Sequence, residues 1–116
     1  MRDTIKKHSD FLMTEENPTA RSAFFFIRMK PCTIPNKPRY GLVATKKTFK
    51  LAVHRNRAMR VMRDWVRFNE KRLRGDMDYV FIARRPILDA AREDGRAAMA
   101  RALTYLKKNP KPNDAE

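Results

Sequence analysis

Apolar and polar positions along the 116-residue chain change period several times, and each change marks an element. Residues 4–16 place Ile5, Phe11 and Leu12 on one helical face, with Ser9-Asp10 available as an internal cap. Asn17-Pro18 ends that helix, because the residue before a proline is pushed out of helical space. Ala23 to Met29 reads as a strand, and the unbroken run Phe24-Phe25-Phe26-Ile27 predicts burial on both of its faces. Pro31, Pro35 and Pro38 then mark a loop. Tyr40 to Thr45 alternates, with Tyr40, Leu42 and Ala44 to one side and Val43 to the other. Gly41 within it marks a bulge or a close approach. A long helix is predicted from Leu51 to Arg74, stopping before Gly75. Asp78 to Ala83 is an apolar run of strand length, closed by Pro86. A last helix spans Arg92 to Lys108, with Met99, Ala102, Leu103 and Leu106 on its stripe and Gly95 weakening its first turn. Residues 109–116 read as a disordered tail, which leaves 1–108 as a single domain.

The long helix separates into two faces at about 100° per residue. Ala58, Val61, Met62, Trp65 and Phe68 fall within an arc of roughly 120°, with Trp65 near its middle as the core anchor. Arg60, Arg63, Arg67, Lys71 and Arg74 fall within roughly 80° on another side. Asp64 is placed to neutralise Arg60, and Glu70 to neutralise Arg67. From Lys46 to Arg74 there are eleven Lys and Arg against these two acids, which leaves +9. A solvated helix face would match its positive charges with acids at i+4. Here most positives are unmatched, and their repulsion costs stability unless a polyanion neutralises it. Arginine dominates over lysine, and its planar fork suits phosphate contact and base stacking.

Charge over the whole chain sharpens that picture. The net charge is +14, from 27 Lys and Arg against 13 Asp and Glu. About two-thirds of it lies in the quarter of the chain just described. That balance excludes an acidic partner-mimic and makes nucleic acid the leading partner. Apolar residues make up 42% of the chain, enough for a modest folded core. No apolar run approaches the ~18 residues of a membrane span, and no apolar stretch follows Met1-Arg2-Asp3-Thr4 as a secretory signal would. A single cysteine, Cys32, makes no internal disulfide and fits a reducing, cytoplasmic setting. His8, Cys32 and His54 lack metal-ligand spacing, so no metal site is expected on the protein. Three glycines make no phosphate loop, and neither histidine stands in a recognisable acid–base pair.

The segment Ala52-Val53-His54-Arg55-Asn56-Arg57-Ala58-Met59-Arg60-Val61-Met62-Arg63-Asp64 resembles the RNR signature of the bacterial ribonuclease P protein subunit. Gly41-Leu42-Val43-Ala44-Thr45-Lys46-Lys47 is similar to that family's strand ending in paired basic residues. Asp78-Tyr79-Val80-Phe81-Ile82-Ala83-Arg84-Arg85-Pro86 is similar to its last strand and the basic turn after it. The three segments stand in family order and spacing, and the resemblance covers about residues 5–108. Met59 stands where the family usually has lysine, and Glu15 where it has a second aromatic one turn after Phe11.

The resemblance implies an α+β fold, an α-β-β-β-α-β-α sandwich with helices packed on a four-stranded sheet. It also implies a left-handed crossover through the basic helix and a further short strand near Thr19–Ser22. The implied function is that of a non-catalytic protein component of a ribozyme that removes the 5′ leader of precursor tRNA. Lys46, Lys47, Arg55, Asn56, Arg57, Arg60, Arg63 and Arg67 are then expected to meet the catalytic RNA. Phe11, Tyr40, Arg84 and Arg85 are expected to meet the leader. The chemistry would fall to a divalent metal, magnesium, at the RNA; no cofactor on the protein alone, no membrane and no small-molecule substrate is expected. A small basic ribosomal or RNA-chaperone protein is the alternative, and composition alone does not separate the two. A DNA regulator would need more base-reading side chains beside its arginines than Asn56 and Asn69. A stand-alone nuclease would need an acidic metal cluster.

Overall fold

The computed structural model describes residues 3–4, 18–31 and 39–108. The elements in chain order are β1 (Asp3–Thr4), β2 (Thr19–Arg21), β3 (Phe25–Pro31), β4 (Arg39–Val43), α1 (Ala52–Phe68), β5 (Met77–Ala83) and α2 (Arg92–Lys108). Short 3-10 turns at Glu70–Arg72 and Arg85–Asp89 flank β5. The strands form one sheet in the order β1-β4-β5-β3-β2. The class is α+β, with the four expected strands present. Thr4 pairs with Tyr40 in a two-residue parallel edge, and so belongs to a strand rather than to the predicted first helix. The rest of that helix, with Ile5, Phe11 and Leu12, lies outside the described residues. So do Pro35, Pro38 and the tail at 109–116.

Alternation decides the sheet. Phe25, Ile27 and Met29 are buried, while Phe26, Arg28 and Lys30 between them are only half-buried. The predicted burial of β3 on both faces is therefore corrected: successive side chains of a strand point to opposite sides, and among the described residues the helices pack on only one of them. Across β3 and β5, Phe25 faces Ala83, Ile27 faces Phe81 and Met29 faces Tyr79. Tyr40 and Leu42 of β4 join the same side opposite Tyr79 and Phe81. The β4–β5 register runs through Gly41 without a bulge. β4 and β5 are parallel neighbours, so the chain must cross from the end of one to the start of the other, and α1 makes that crossing.

Trp65 anchors the core as expected. It is 1% exposed, with the Phe24 and Phe25 rings tilted against it at centroid distances of 5.8 and 6.0 Å. Met99, Ala102, Leu103 and Leu106 of α2 are all buried on the other side of the same core. Gly95 is helical and buried, and the position takes glycine because a Cβ there would fall on the Trp65 indole. A glycine that weakens a helix by pattern is thus a close approach in space.

α1 is shorter than its pattern. It ends at Phe68, not Arg74. Asn69 stops it: its side-chain amide donates to the carbonyls of Trp65 and Arg96 at 3.0 and 3.2 Å. The amide thereby ties the end of α1 to α2. The buried Leu73 and a bond from the Arg74 N–H to the Tyr79 hydroxyl (3.0 Å) then steer the chain into β5. Lys71 and Arg74 therefore do not lie on the helix. Phe68 also leaves the predicted apolar arc and is exposed, while Val66 takes its place in the core.

Candidate nucleic-acid interface

α1 turns its basic side outward. Asn56, Arg57, Arg60 and Arg67 are exposed and Arg63 is half-buried, while Ala58, Met62, Trp65 and Val66 face the core. Asp64 does not neutralise this stripe. Its carboxylate accepts two hydrogen bonds from Arg96 of α2, at 3.1 and 3.2 Å, in place of the predicted pair with Arg60. Arg67 and Glu70 also make no ion pair. The tertiary partner wins because a bidentate guanidinium fixes both oxygens, which a long side chain on the same helix face does less well. Among the described residues, Lys46, Lys47, Arg57, Arg60, Arg63 and Arg67 have no carboxylate partner. Their charge is directed at solvent.

The start of α1 adds to this field. Leu51 caps it without a side-chain hydrogen bond, and its first turn contains no acid. The positive end of the helix macrodipole is therefore not offset by a local acid. The turn that carries Lys46 and Lys47 is held by Thr45, whose hydroxyl accepts from the Thr48 N–H at 3.2 Å, and by the buried Phe49. Arg55 is half-committed to structure. Its Nη1 donates to the carbonyls of Phe49 (2.9 Å) and Lys50 (3.2 Å), fixing the link between β4 and α1.

Arg84 and Arg85 follow β5, at the sheet end where β4 also finishes. Arg85 reaches the Thr48 carbonyl at 3.4 Å, so it stands beside the Lys46–Lys47 turn. Arg84 bonds the Ser22 carbonyl at 2.9 Å. Tyr40 is a different case. It is 3% exposed, edge-on to Phe81, and belongs to the core rather than to a leader surface. A strand tyrosine next to a basic segment reads the same in sequence whichever way it points; the sheet register decides. Phe11 lies outside the described residues.

The sheet's other face carries an aromatic that sequence reasoning assigned to the core. The Phe26 ring lies between the guanidinium groups of Arg21 and Arg28, at 5.7 and 5.3 Å from its centroid. The signal was available: Phe26, Arg28 and Lys30 alternate with the core residues of β3. Among the described residues, no group of three or more His, Cys, Asp or Glu is placed to hold a metal ion. No helix among them is long and apolar enough to cross a membrane.

The fold and this surface define a class: a small α+β protein with a cationic helix face left without carboxylate partners among the described residues. The Ribonuclease P family model matches residues 1–107, and the chain belongs to that family. The Ribonuclease P protein component of Pseudomonas entomophila (strain L48) is 54% identical over 48 residues, 41% of this chain and 35% of that one. That of Stutzerimonas stutzeri (strain A1501) is 38% identical over 79 residues, 68% of this chain and 60% of that one. The matched segments thus span about a third to three-fifths of these curated relatives. The fold is shared with the RNase P protein of Staphylococcus aureus, with a TM-score of 0.72 at 22% identity over 92% of this chain and 97% of that one. It is shared equally with that of Thermotoga maritima, with a TM-score of 0.72 at 19% identity over 90% and 97%.

Proposed function

We propose that this protein is the RNA-binding subunit of a ribonuclease P ribonucleoprotein that removes the 5′ leader of precursor tRNA in the cytoplasm. The observation that carries the reading is the unneutralised face of α1 in a chain matched to the family over residues 1–107. Lys46, Lys47, Asn56, Arg57, Arg60, Arg63 and Arg67 meet phosphates of the catalytic RNA. Arg55 shares its guanidinium between that RNA and the carbonyls of Phe49 and Lys50. Arg84 and Arg85 extend the surface toward the precursor's leader, together with Phe11. Phe26 between two arginines gives the sheet face an aromatic suited to the same strand. The divalent metal that carries the chemistry is assigned to the RNA. The protein supplies cations that screen repulsion between two RNAs, and so strengthens substrate binding.

The test is reconstitution with the cognate catalytic RNA. Added protein should raise cleavage of precursor tRNA at physiological magnesium, at the mature 5′ end. An RNA-only rate unchanged by saturating protein would overturn the reading. Phe11→Leu, which keeps apolar volume but removes the ring face, should weaken precursor with a leader and spare mature tRNA. Stacking of one base is worth about 1–3 kcal/mol.

A further inference from the structure

α1 ends on a side chain that the core does not use. Phe68, its last residue, is 61% exposed. One side of its ring is covered by Arg96 of α2, whose guanidinium carbon lies 4.3 Å from the ring centroid. Arg96 is itself fixed by the two hydrogen bonds to Asp64, one turn earlier on α1. An acid on α1 thus holds an arginine on α2, and that arginine supports a ring back on α1. The remainder of the ring lines a groove of about 850 Å³ between the ends of the two helices.

The groove is cationic. Lys71, Arg72, Lys107 and Lys108 line it beside Phe68 and Asn69, and among the described residues no acid does. Lysines in the last turn of α2 complement that helix's macrodipole, which accounts for Lys107 and Lys108. It does not account for an exposed aromatic set among four positive charges. An acidic polypeptide would satisfy the charges and leave the ring in water. A single strand of nucleic acid satisfies both, with phosphates on the cations and a base on the ring. Arg67, next to Phe68 in sequence, is the exposed end of the outward stripe of α1.

We infer that Phe68 is a stacking platform for an unpaired base of single-stranded RNA, backed by Arg96 and flanked by Lys71, Arg72, Lys107 and Lys108. The inference rests on the RNA-binding reading above and adds to it a second RNA site, beyond the Arg57–Arg67 face. Asp64 and Arg96 act here as positioning residues, and Phe68 meets the base.

The experiment uses the full chain, a ten-nucleotide oligoadenylate and the cognate catalytic RNA. Phe68→Trp places a reporter on the platform, and its emission is read after subtracting the wild type's Trp65. Oligoadenylate should quench that emission on binding. Phe68→Leu should lower oligoadenylate affinity about 5- to 150-fold, the loss of one stacked base, with the melting temperature unchanged. Asp64→Asn should lower it less, and should also make the Phe68→Trp signal more mobile by anisotropy. Unchanged emission at saturating oligoadenylate, or equal affinity for wild type and Phe68→Leu, overturns the inference. So does polyglutamate of matched charge binding as tightly and weakening as much on Phe68→Leu, since the groove would then be one for acidic polypeptide. Should oligoadenylate quench as expected while the wild type fails to bind the catalytic RNA, this inference stands and the proposed function falls.

Discussion

Gly95 carries more of the fold than its size suggests. Alanine is favoured over glycine inside a helix by about 1 kcal/mol. At Gly95 the added methyl would meet the Trp65 ring, which is walled in by Phe24 and Phe25. Gly95→Ala should therefore destabilise the protein by about 1–3 kcal/mol in urea unfolding, against the helix-propensity trend. Trp65→Ala should cost about 3–5 kcal/mol and reduce RNA binding only through unfolding. Arg55 divides differently from its neighbours. Arg55→Ala should cost about 1–2 kcal/mol of stability, since the Phe49 and Lys50 carbonyls lose a charged donor. Arg57→Ala should leave the melting temperature unchanged, because Arg57 has no ion-pair partner among the described residues. Equal melting temperatures for the two variants would remove the structural role assigned to Arg55.

At the scale of elements, α1 is a core helix on one side and an exposed cationic surface on the other. Replacing Arg57 and Arg60 together by alanine should weaken binding to the catalytic RNA while circular dichroism stays native. The log–log slope of affinity against salt should flatten by about one unit for each phosphate that the protein no longer neutralises. An unchanged affinity and slope would return this face to ordinary solvation. The strands depend on a different charge. Asp78 in β5 is fully buried, accepts the Arg39 N–H at 2.8 Å and pairs with the Arg39 guanidinium at 3.4 Å. Asp78→Ala should leave Arg39 buried without that counter-charge and cost about 3–5 kcal/mol. Asp78→Asn keeps an oxygen for the N–H and should cost less. Equal losses would assign the whole effect to the counter-charge, since asparagine keeps the volume and the acceptor oxygen.

At the scale of the whole molecule, the described residues show two cationic surfaces of different make-up. The α1 side and the Lys46–Lys47 turn gather positive charge at the end of the sheet where the parallel strands β4 and β5 finish. The sheet's other face presents Phe26 between its arginines. In the proposed assembly, one RNA lies along the helix and a second crosses the sheet. The protein without RNA should then cleave no precursor tRNA at any magnesium concentration. Activity that survives repurification and ribonuclease treatment of the protein would overturn that division of labour.

Several elements are legible in the chain. α2 has the bounds its stripe predicts, Trp65 is the anchor its arc predicts, and β5 is the strand its apolar run predicts. Those features depend on local period and on apolar bulk, which a sequence displays directly. The basic face of α1 was legible for the same reason: its arginines share a helical angle whatever they touch. What a period does not contain is a partner from elsewhere in the chain. Helical spacing points Asp64 toward Arg60 four residues away, but Arg96, thirty-two residues away, takes it. Asn69 ends α1 through a carbonyl on α2, so the helix stops before its pattern does. Tyr40 points inward because its register with Tyr79 places it on the helix side of the sheet. Local sequence thus determined the long central strands, the two described helices apart from where α1 ends, and the charge they display. Only tertiary packing decided which charges are neutralised, because that depends on which distant side chain reaches them first.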